Sequence, residues 1–287
     1  MIVAVFVTFN PEVSVLEASV KSLIDQVDHI VIVDNSHSCC FFFEDSRITI
    51  EALGRNLGIA AAQNFGIRLA IMSGADYVLL SDQDTIYPVN YLVNMLPVFS
   101  EFSDVCAVVP RFSDSIKKSD DGFIAIKPFY FKKFFPDEGK HEIFQAIASG
   151  KIIRVSSLSE IGLMEERLFI DWVDLEWCWR ARKRGFKIIG NAEVWIWHSL
   201  GDASVDLGFR EVNLRSATRH YYITRNAFYL ALYCHDLDFG HRINIFFKSF
   251  LYIFCFPILS TPRKNHLKAV LLGFFHGVSA RLGVYKL

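Results

Sequence analysis

The chain has 287 residues, of which 52% are hydrophobic and 15% aromatic. This length and composition can bury a large core, which excludes global disorder. The formal net charge of −1 at pH 7 argues against a nucleic-acid-binding protein that relies on bulk positive charge. The six cysteines show neither paired metal-ligand spacing nor the density of a secreted scaffold, so we expect reduced thiols in a cytosolic protein.

The first elements of the chain predict a parallel βαβ unit. The apolar run at 2–7 predicts a buried strand and not a signal peptide, because it lacks a basic leader and a small-residue cleavage site. Apolar residues at helical spacing predict a helix over 13–27, and 29–33 predicts the second strand. Strands joined by one helix and short connections lie parallel in a sheet.

Polar residues follow both strands. Thr8 and Asn10 come after the first strand and Asp34 after the second. Ligands of such sheets bind at the carboxyl ends of the strands, so we expect these residues to lie side by side. Asp34 either accepts hydrogen bonds from a nucleotide or simply forms a turn. No glycine-rich loop follows the first strand, which argues against a dinucleotide-binding Rossmann site and a P-loop.

The next segment predicts a strand at 48–50 and a helix at 59–72, joined by a glycine-containing loop. Asn56 and Asn64 are candidates for nucleotide or phosphate contacts. Their alternative role is that of a helix cap or a satisfied surface amide.

An acidic pair ends the predicted strand at 77–80. Alternate side chains of an extended segment point to one side, so Asp82 and Asp84 can converge on one point. Hard divalent cations bind carboxylates and complete their shell with substrate phosphates. The pair therefore predicts a metal–diphosphate site, and its alternative is a solvated turn.

A helix at 90–99 and a strand at 105–109 are predicted next. The segment 110–152 has weak periodicity and many aromatic residues. Long irregular segments in compact domains are usually functional, so we interpret 110–152 as loops on the acceptor side of the site.

The segment 169–185 begins with acids, ends with bases and is closed by a glycine, which is the charge order of a helix. Asp171 and Asp174 near its start either cap the helix or, beside three tryptophans, supply a general base toward a hydroxyl group. Strands are predicted at 187–189 and 194–197. The second leads into His198, a metal or phosphate ligand or a structural histidine.

Acidic residues are absent after Asp238, whereas seven Lys and Arg residues remain. The apolar stretch 243–259 is interrupted by Lys248 and Pro257, and we expect it to be too short and broken to span a membrane. Together with the amphipathic stretch 266–278 it predicts attachment to an anionic membrane surface. The alternative is that these helices pack on the catalytic domain or form a homodimer. We divide the chain into a catalytic domain, 1–235, and a helical region, 236–287.

The order and spacing of these motifs resemble family 2 glycosyltransferases with the GT-A fold, and specifically bacterial rhamnosyltransferases of surface polysaccharides. The motifs that carry the resemblance are Val7-Thr8-Phe9-Asn10-Pro11, Val33-Asp34-Asn35, Asn56-Leu57-Gly58, Asn64-Phe65-Gly66, Ser81-Asp82-Gln83-Asp84, the segment 169–177, His198 and His220-Tyr221-Tyr222-Ile223-Thr224-Arg225-Asn226. The resemblance implies an α/β fold with a mostly parallel central sheet flanked by helices and a C-terminal helical extension.

The resemblance also implies roles for single residues. Asp34 would help to hold the base and ribose, and Arg225 would neutralise the diphosphate. Asp174 would be the catalytic base, with Asp171 as the less favoured alternative. Val173 stands where the family usually has glutamate, and the rhamnosyltransferase-like subgroup commonly shows this Val-Asp pair.

A metal site, for Mg²⁺ or Mn²⁺, is implied as well. Asp82 and Asp84 would bind the ion and the donor diphosphate, Asp84 more directly. His198 would complete the site.

The implied activity is inverting transfer of L-rhamnose from dTDP-L-rhamnose to a lipid-linked glycan in O-antigen or related assembly, at the cytoplasmic face of the plasma membrane. One alternative is the same reaction with another donor, such as a UDP-hexose. A sugar nucleotidyltransferase would require a glycine-rich loop after the first strand. A catalytically silent scaffold would tolerate the loss of Asp84 and Asp174.

Overall fold

A ten-stranded sheet forms the centre of the computed structural model, which describes residues 1–114, 119–120, 122–198, 204–206, 211–213 and 215–285. The strands are β1 (Ile2–Thr8), β2 (His29–Asp34), β3 (Ile48–Ala52), β4 (Tyr77–Asp82), β5 (Thr85–Ile86), β6 (Val105–Asp114), β7 (Ser119–Asp120), β8 (Phe123–Ala125), β9 (Lys132–Phe134), β10 (Lys140–Glu142), β11 (Lys151–Arg154), β12 (Lys187–His198), β13 (Ser204–Asp206) and β14 (Glu211–Asn213). The α-helices are α1 (Val13–Leu23), α2 (Ile59–Met72), α3 (Tyr91–Met95), α4 (Val98–Glu101), α5 (Leu158–Ile161), α6 (Val173–Lys183), α7 (Ala217–Tyr233), α8 (Phe239–Leu259) and α9 (Arg263–Val278).

Eight strands of the sheet run in the order β10-β12-β6-β11-β4-β1-β2-β3, and the short strands β5 and β7 pair with β12 and β6. Parallel pairs join β1 to β2 and to β4, β2 to β3, and β6 to β12. Strand β11 lies antiparallel between β4 and β6. The predicted α/β fold with a mostly parallel sheet flanked by helices is therefore confirmed.

Both faces of the sheet are buried because its central strands are apolar throughout. In β1, Val3 and Val5 point into a core shared with α2 and α6, whereas Ala4 and Phe6 point into a second core shared with α1 and α3. Alternate residues of a strand face opposite sides, so a continuous apolar run is what a sheet covered by helices on both sides requires.

Several predicted elements have different bounds. The helix expected at 13–27 ends as an α-helix at Leu23 and continues as a 3₁₀ turn, Ile24–Gln26. The single helix expected at 90–99 is two short helices that meet at Pro97. Proline has no backbone N–H to continue the first of them.

The region after β6 is more regular than predicted. The strands expected at 187–189 and 194–197 are one strand, β12, whose pairing shifts between Asn191 and Trp195. This irregularity interrupts the side-chain alternation on which the prediction rested. The segment 110–152, expected to form loops, contains the end of β6 and the short strands β7 to β10.

The C-terminal helices α7, α8 and α9 pack against one another. Helix α8 has 21 residues and is, among the described residues, the one helix long and apolar enough to cross a membrane, judged by length and composition. Of the 18 consecutive residues that form its most apolar part, 22% are buried. The helix is therefore longer than the predicted stretch 243–259, because it begins at Phe239 and continues through Pro257 to Leu259.

Candidate active site

The carboxyl ends of β1, β2 and β4 form one polar edge. Thr8 pairs with Asp34, and Val7 pairs with Asp82, in the register of the parallel strands. The Thr8 hydroxyl donates a hydrogen bond of 2.8 Å to Oδ1 of Asp34. The ends of β1 and β2 therefore lie side by side, as predicted.

Asp34 is wholly buried at this edge. Its Oδ1 accepts from Thr8 Oγ1 and from Ser36, through the backbone N–H at 3.3 Å and the hydroxyl at 2.7 Å. Its Oδ2 is buried and has no hydrogen-bond partner in the part of the chain that the structure describes. A buried carboxylate oxygen without a donor is costly, so a ligand N–H or O–H at this point would satisfy it.

Hydrogen bonds between loops hold the rest of the edge together. The Phe9 N–H donates to Gln83 Oε1 at 2.8 Å, and the Asn10 N–H donates to Ser36 Oγ at 2.7 Å. Asn56 Oδ1 accepts a hydrogen bond of 3.1 Å from the side-chain amide of Asn35, in the loop after β2. The structure thus brings the loop of Asn10 and the loop of Asn56 to the edge that carries Asp34.

The acidic pair lies at the end of β4. Asp82 is the last residue of that strand, and Asp84 precedes β5. Two carboxylates with room for substrate phosphates suit Mg²⁺ or Mn²⁺, which prefer oxygen ligands. No group of three His, Cys, Asp or Glu side chains that could hold a metal occurs among the described residues. The backbone of His198 pairs with Thr85, but its side chain lies outside the described part of the structure.

One turn connects this edge to Asp174. Gly150 donates its N–H to Leu80 O of β4 at 2.9 Å, and the hydroxyls of Ser149 and Thr85 lie 2.6 Å apart. The neighbouring Ala148 N–H donates to Oδ2 of Asp174 at 3.1 Å. The acidic pair and Asp174 therefore flank the same turn, residues 146–150.

Asp174 stands in the first turn of α6. Trp172, not an aspartate, occupies the N-cap position, and its side chain makes no capping hydrogen bond. Oδ1 of Asp174 accepts from Leu175 N at 3.1 Å. Burial raises the pKa of Asp174, and the charge of Lys151 opposes this shift. A carboxyl group whose pKa is raised toward neutrality suits a general base.

Asp171, the alternative base, is engaged elsewhere. It forms an ion pair with Arg219 of α7, in which Nη2 lies 3.1 Å from Oδ1 and Nε lies 3.2 Å from both oxygens. A proton on Asp171 would weaken this pair. The geometry therefore favours Asp174.

The segment 169–172 leads into α6 in a strained backbone conformation. Phe169, Asp171 and Trp172 have φ values of 67°, 60° and 69°, a region that side-chain-bearing residues rarely adopt. Asn226 of α7 donates its amide to the carbonyls of Leu168, Ile170 and Asp171 at 3.0, 2.8 and 3.1 Å. Helix α7 thus holds the segment that sets the start of α6.

Two predicted nucleotide contacts make hydrogen bonds to the backbone of distant loops. Arg225 is wholly buried and donates to the carbonyls of Leu168 at 2.8 Å and Gly283 at 2.5 Å, so it does not face the strand ends. Asn64 is buried and exchanges hydrogen bonds with the backbone of Met164 at 2.8 and 2.9 Å. These contacts hold neighbouring loops, and a role of either residue toward the donor stays a prediction.

Two residues were missed at the sequence level. Lys151 is a buried ammonium near Asp174, and Asn226 holds the strained segment. A single lysine that opens the apolar run of β11 was the available signal for the first. No local signal marks the second, because its partners lie more than fifty residues away.

Comparison with known proteins agrees with this geometry. Residues 4–162 match the family described as glycosyl transferase family 2. The chain is 34% identical over 237 residues to "dTDP-rhamnosyl transferase RfbF" of Shigella flexneri, covering 80% of this chain and 79% of that protein. The chain belongs to glycosyl transferase family 2. It is a glycosyltransferase that uses a nucleotide-sugar donor.

Solved structures with similar folds support the GT-A architecture. Residues 1–349 of S. aureus TarS in complex with UDP-GlcNAc are 15% identical, with a TM-score of 0.60 over 96% of this chain and 81% of that chain. GalNAc-T7 with UDP, GalNAc and Mn²⁺ is 14% identical, with a TM-score of 0.59 over 87% of this chain and 55% of that chain. At these identities the likeness concerns the fold alone.

Proposed function

We propose that this glycosyltransferase moves L-rhamnose from dTDP-L-rhamnose to a hydroxyl group of a lipid-linked glycan, with inversion at the anomeric carbon, in O-antigen or related polysaccharide assembly. The donor follows from the identity to dTDP-rhamnosyl transferase RfbF. One observation supports the reaction type: the turn 146–150 contacts both the carboxylate of Asp174, through Ala148, and Thr85, the residue after Asp84, through Ser149.

The nucleoside of the donor binds at the ends of β1 and β2. Oδ2 of Asp34 accepts a hydrogen bond from the base or the ribose, which satisfies the otherwise unpartnered oxygen. Thr8, Asn10 and Asn56 fix the loops around it. Asp34 itself is fixed by three donors, so it is preorganised for the nucleoside.

Asp82 and Asp84 would hold Mg²⁺ or Mn²⁺ together with the donor diphosphate, and His198 would be a third ligand. When bound, the ion supplies positive charge that stabilises the nucleoside-diphosphate leaving group. Without the ion, the two carboxylates would repel the negatively charged diphosphate. Donor binding should therefore depend on the divalent ion.

Asp174 acts as the base. Its carboxylate takes the proton of the acceptor hydroxyl while that oxygen bonds to the anomeric carbon. The bond from this carbon to the diphosphate oxygen breaks, and its electron pair leaves with dTDP. Attack from the face opposite the leaving group inverts the anomeric configuration.

A donor panel tests the proposal. The full chain is given dTDP-L-rhamnose, UDP-glucose, UDP-GlcNAc and UDP-galactose with a synthetic lipid-diphosphate glycan, with and without Mg²⁺ or Mn²⁺. We expect metal-dependent rhamnose transfer and a product of inverted configuration by NMR. Transfer from a UDP-hexose alone would contradict the donor, and formation of a sugar nucleotide from sugar phosphate and dTTP would contradict the reaction class. Absence of nucleotide binding would leave the scaffold hypothesis.

The C-terminal helices are part of the same proposal. Exposed apolar side chains recur at helical spacing along α8 and α9, and acidic residues are absent from both helices. These side chains are Phe239, Ile243, Phe247, Leu251, Phe254 and Ile258 of α8 and Leu267, Leu271, Phe275 and Val278 of α9. We define them as the C-terminal apolar stripe.

The stripe is flanked by basic residues, among them Lys248, Arg263, Lys264 and Lys268. An apolar stripe beside positive charge matches the surface of an anionic bilayer. We infer that region 236–287 lies on the inner face of the plasma membrane and keeps the catalytic domain, 1–235, near its lipid-linked acceptor.

Vesicle sedimentation tests this placement. The full chain should bind vesicles of phosphatidylglycerol and phosphatidylethanolamine and should bind phosphatidylcholine vesicles less. Phe247→Ser/Phe254→Ser should weaken binding, whereas Phe42→Ser, which removes a ring that is 74% exposed outside the stripe, should not. Unchanged binding of the double variant would contradict the proposal, and a shift from dimer to monomer in that variant would support the homodimer instead.

A further inference from the structure

Lys151 is a buried cation that the mechanism above does not use. It opens β11 and its side chain is wholly buried. The ammonium donates to Ala146 O at 3.1 Å and to Cys178 Sγ at 3.4 Å, and it lies 5.4 Å from the centre of the Trp177 ring. Lysine is rarely buried to this degree, because removing its charge from water is costly without a compensating anion.

The Lys151 ammonium connects the turn 146–150 to helix α6, in which Asp174 lies. Ala146 begins the turn, and Cys178 lies one helical turn after Asp174 in α6. Ala148, between Ala146 and Lys151, donates its N–H to the carboxylate of Asp174. The Lys151 N–H in turn donates to Ala148 O at 2.9 Å. The side chain of Lys151 thus binds Ala146 and its backbone binds Ala148, the residue whose N–H donates to Asp174.

Two charged groups act on the pKa of Asp174: Lys151 stabilises its ionised form and Asp171 destabilises it. The neighbouring Cys178 is a thiol whose own pKa is raised by burial. Asp171 is paired with Arg219, which reduces its effect. Lys151 is therefore the cation that offsets the burial of Asp174.

We propose that Lys151 is a positioning residue for Asp174: its ammonium, bonded to Ala146 O and Cys178 Sγ, holds the turn 146–148 against α6 and places a positive charge in the buried site of the carboxylate. This inference rests on the proposed role of Asp174 as the base. It adds to that role a positive charge that favours the ionised form of the buried carboxyl group.

The kinetic test is the pH dependence of kcat for wild type, Lys151→Met and Cys178→Ala. Methionine keeps the length of the side chain and removes the charge. Loss of a nearby opposite charge raises the pKa of a carboxyl group, so the acid limb of Lys151→Met should move up by about one pH unit, and the rate should recover at higher pH. Cys178→Ala removes the other partner of the ammonium without a change of charge and should keep the wild-type limb. If Lys151→Met lowers kcat by the same factor at every pH and the acid limb stays at its wild-type pH, the proposal is overturned.

A stability cycle tests the same coupling without any substrate. Lys151→Met leaves the Asp174 charge without its cation, and Asp174→Asn leaves the Lys151 charge without its anion. The double variant leaves neither, so it should unfold at a higher urea concentration than Lys151→Met. If Lys151→Met does not fold, recovery of folding in the double variant is the readout. Additive effects, or a double variant no more stable than Lys151→Met, would overturn the proposal whether or not the donor panel succeeds.

Discussion

The strand-end edge around Asp34 and the segment 169–172 are both parts of the proposed active site, but different interactions hold them. At the edge, polar residues directly follow buried strands, and their hydrogen bonds join neighbouring strands of one sheet. The segment 169–172 instead has a strained backbone whose conformation depends on Asn226, far along the chain. The difference shows that the donor half of the site is built by the sheet, whereas the half that sets Asp174 is built by α7.

Gly58→Ala should produce the largest effect, because Gly58 is where the two regions touch. A Cβ there would lie 2.5 Å from Phe169 Cδ2 and 2.6 Å from Phe169 O, at a φ of 89°. We expect a loss of roughly 3 kcal/mol or more in the free energy of unfolding, measured with urea. Gly54→Ala is the matched control, since Gly54 has a φ of 66° but no atom within 4 Å of the added Cβ. It should cost about 1 kcal/mol, and equal losses in both variants would show that contact with Phe169 is unimportant.

Asn226→Leu should be next in size and should affect the α7-dependent half. It removes the donor shared by three backbone carbonyls and should lower the free energy of unfolding by about 2–3 kcal/mol. Nucleotide binding by the folded fraction should change little. Asn265→Leu, an exposed asparagine of α9, is the control and should change stability by less than about 0.5 kcal/mol. A stable Asn226→Leu with wild-type turnover would show that the strained segment holds its conformation unaided.

Asp34→Asn tests the strand-end half alone. Asparagine keeps the oxygen that accepts from Thr8 and Ser36 and replaces the unpartnered oxygen with an amide donor. We expect the Kd for dTDP to rise roughly tenfold to thirtyfold by calorimetry, with little change in stability. Asp25→Asn, which alters an exposed carboxylate paired with Arg47, should leave the Kd unchanged. Equal affinity in Asp34→Asn would mean that the nucleoside binds elsewhere.

The sequence predicts the strand-end edge better than it predicts the contacts around Asp174. The helix at 59–72, the strand ends and the acidic pair were predicted because apolar runs and polar stops are local patterns. The hydrogen-bond partners of Arg225 and Asn64 could not be predicted, because they lie in loops distant in sequence. Lys151 was missed for a related reason, since only the fold brings the start of β11 against α6.

The pH dependence of kcat in the wild type should be a smaller effect. It still distinguishes the part of the site around Asp174 from the strand-end edge around Asp34. Burial raises the pKa of Asp174 above its ordinary value of 3.8, so its base form is lost on acidification sooner than that of an exposed aspartate. The acid limb of kcat should therefore lie above pH 3.8, while dTDP binding should keep its affinity through the same range. A limb that appears equally in dTDP binding would place the titrating group at the donor edge.

The most direct test of the account compares Asp174→Asn with Asp171→Asn in single-turnover transfer from dTDP-L-rhamnose. If Asp174 is the base, its variant should bind dTDP like wild type and transfer about 10²–10⁴ times more slowly. Asp171→Asn should retain a larger share of the rate, because it loses an ion pair with Arg219 and keeps the base. Wild-type transfer by Asp174→Asn, or a greater loss in Asp171→Asn, would contradict the account.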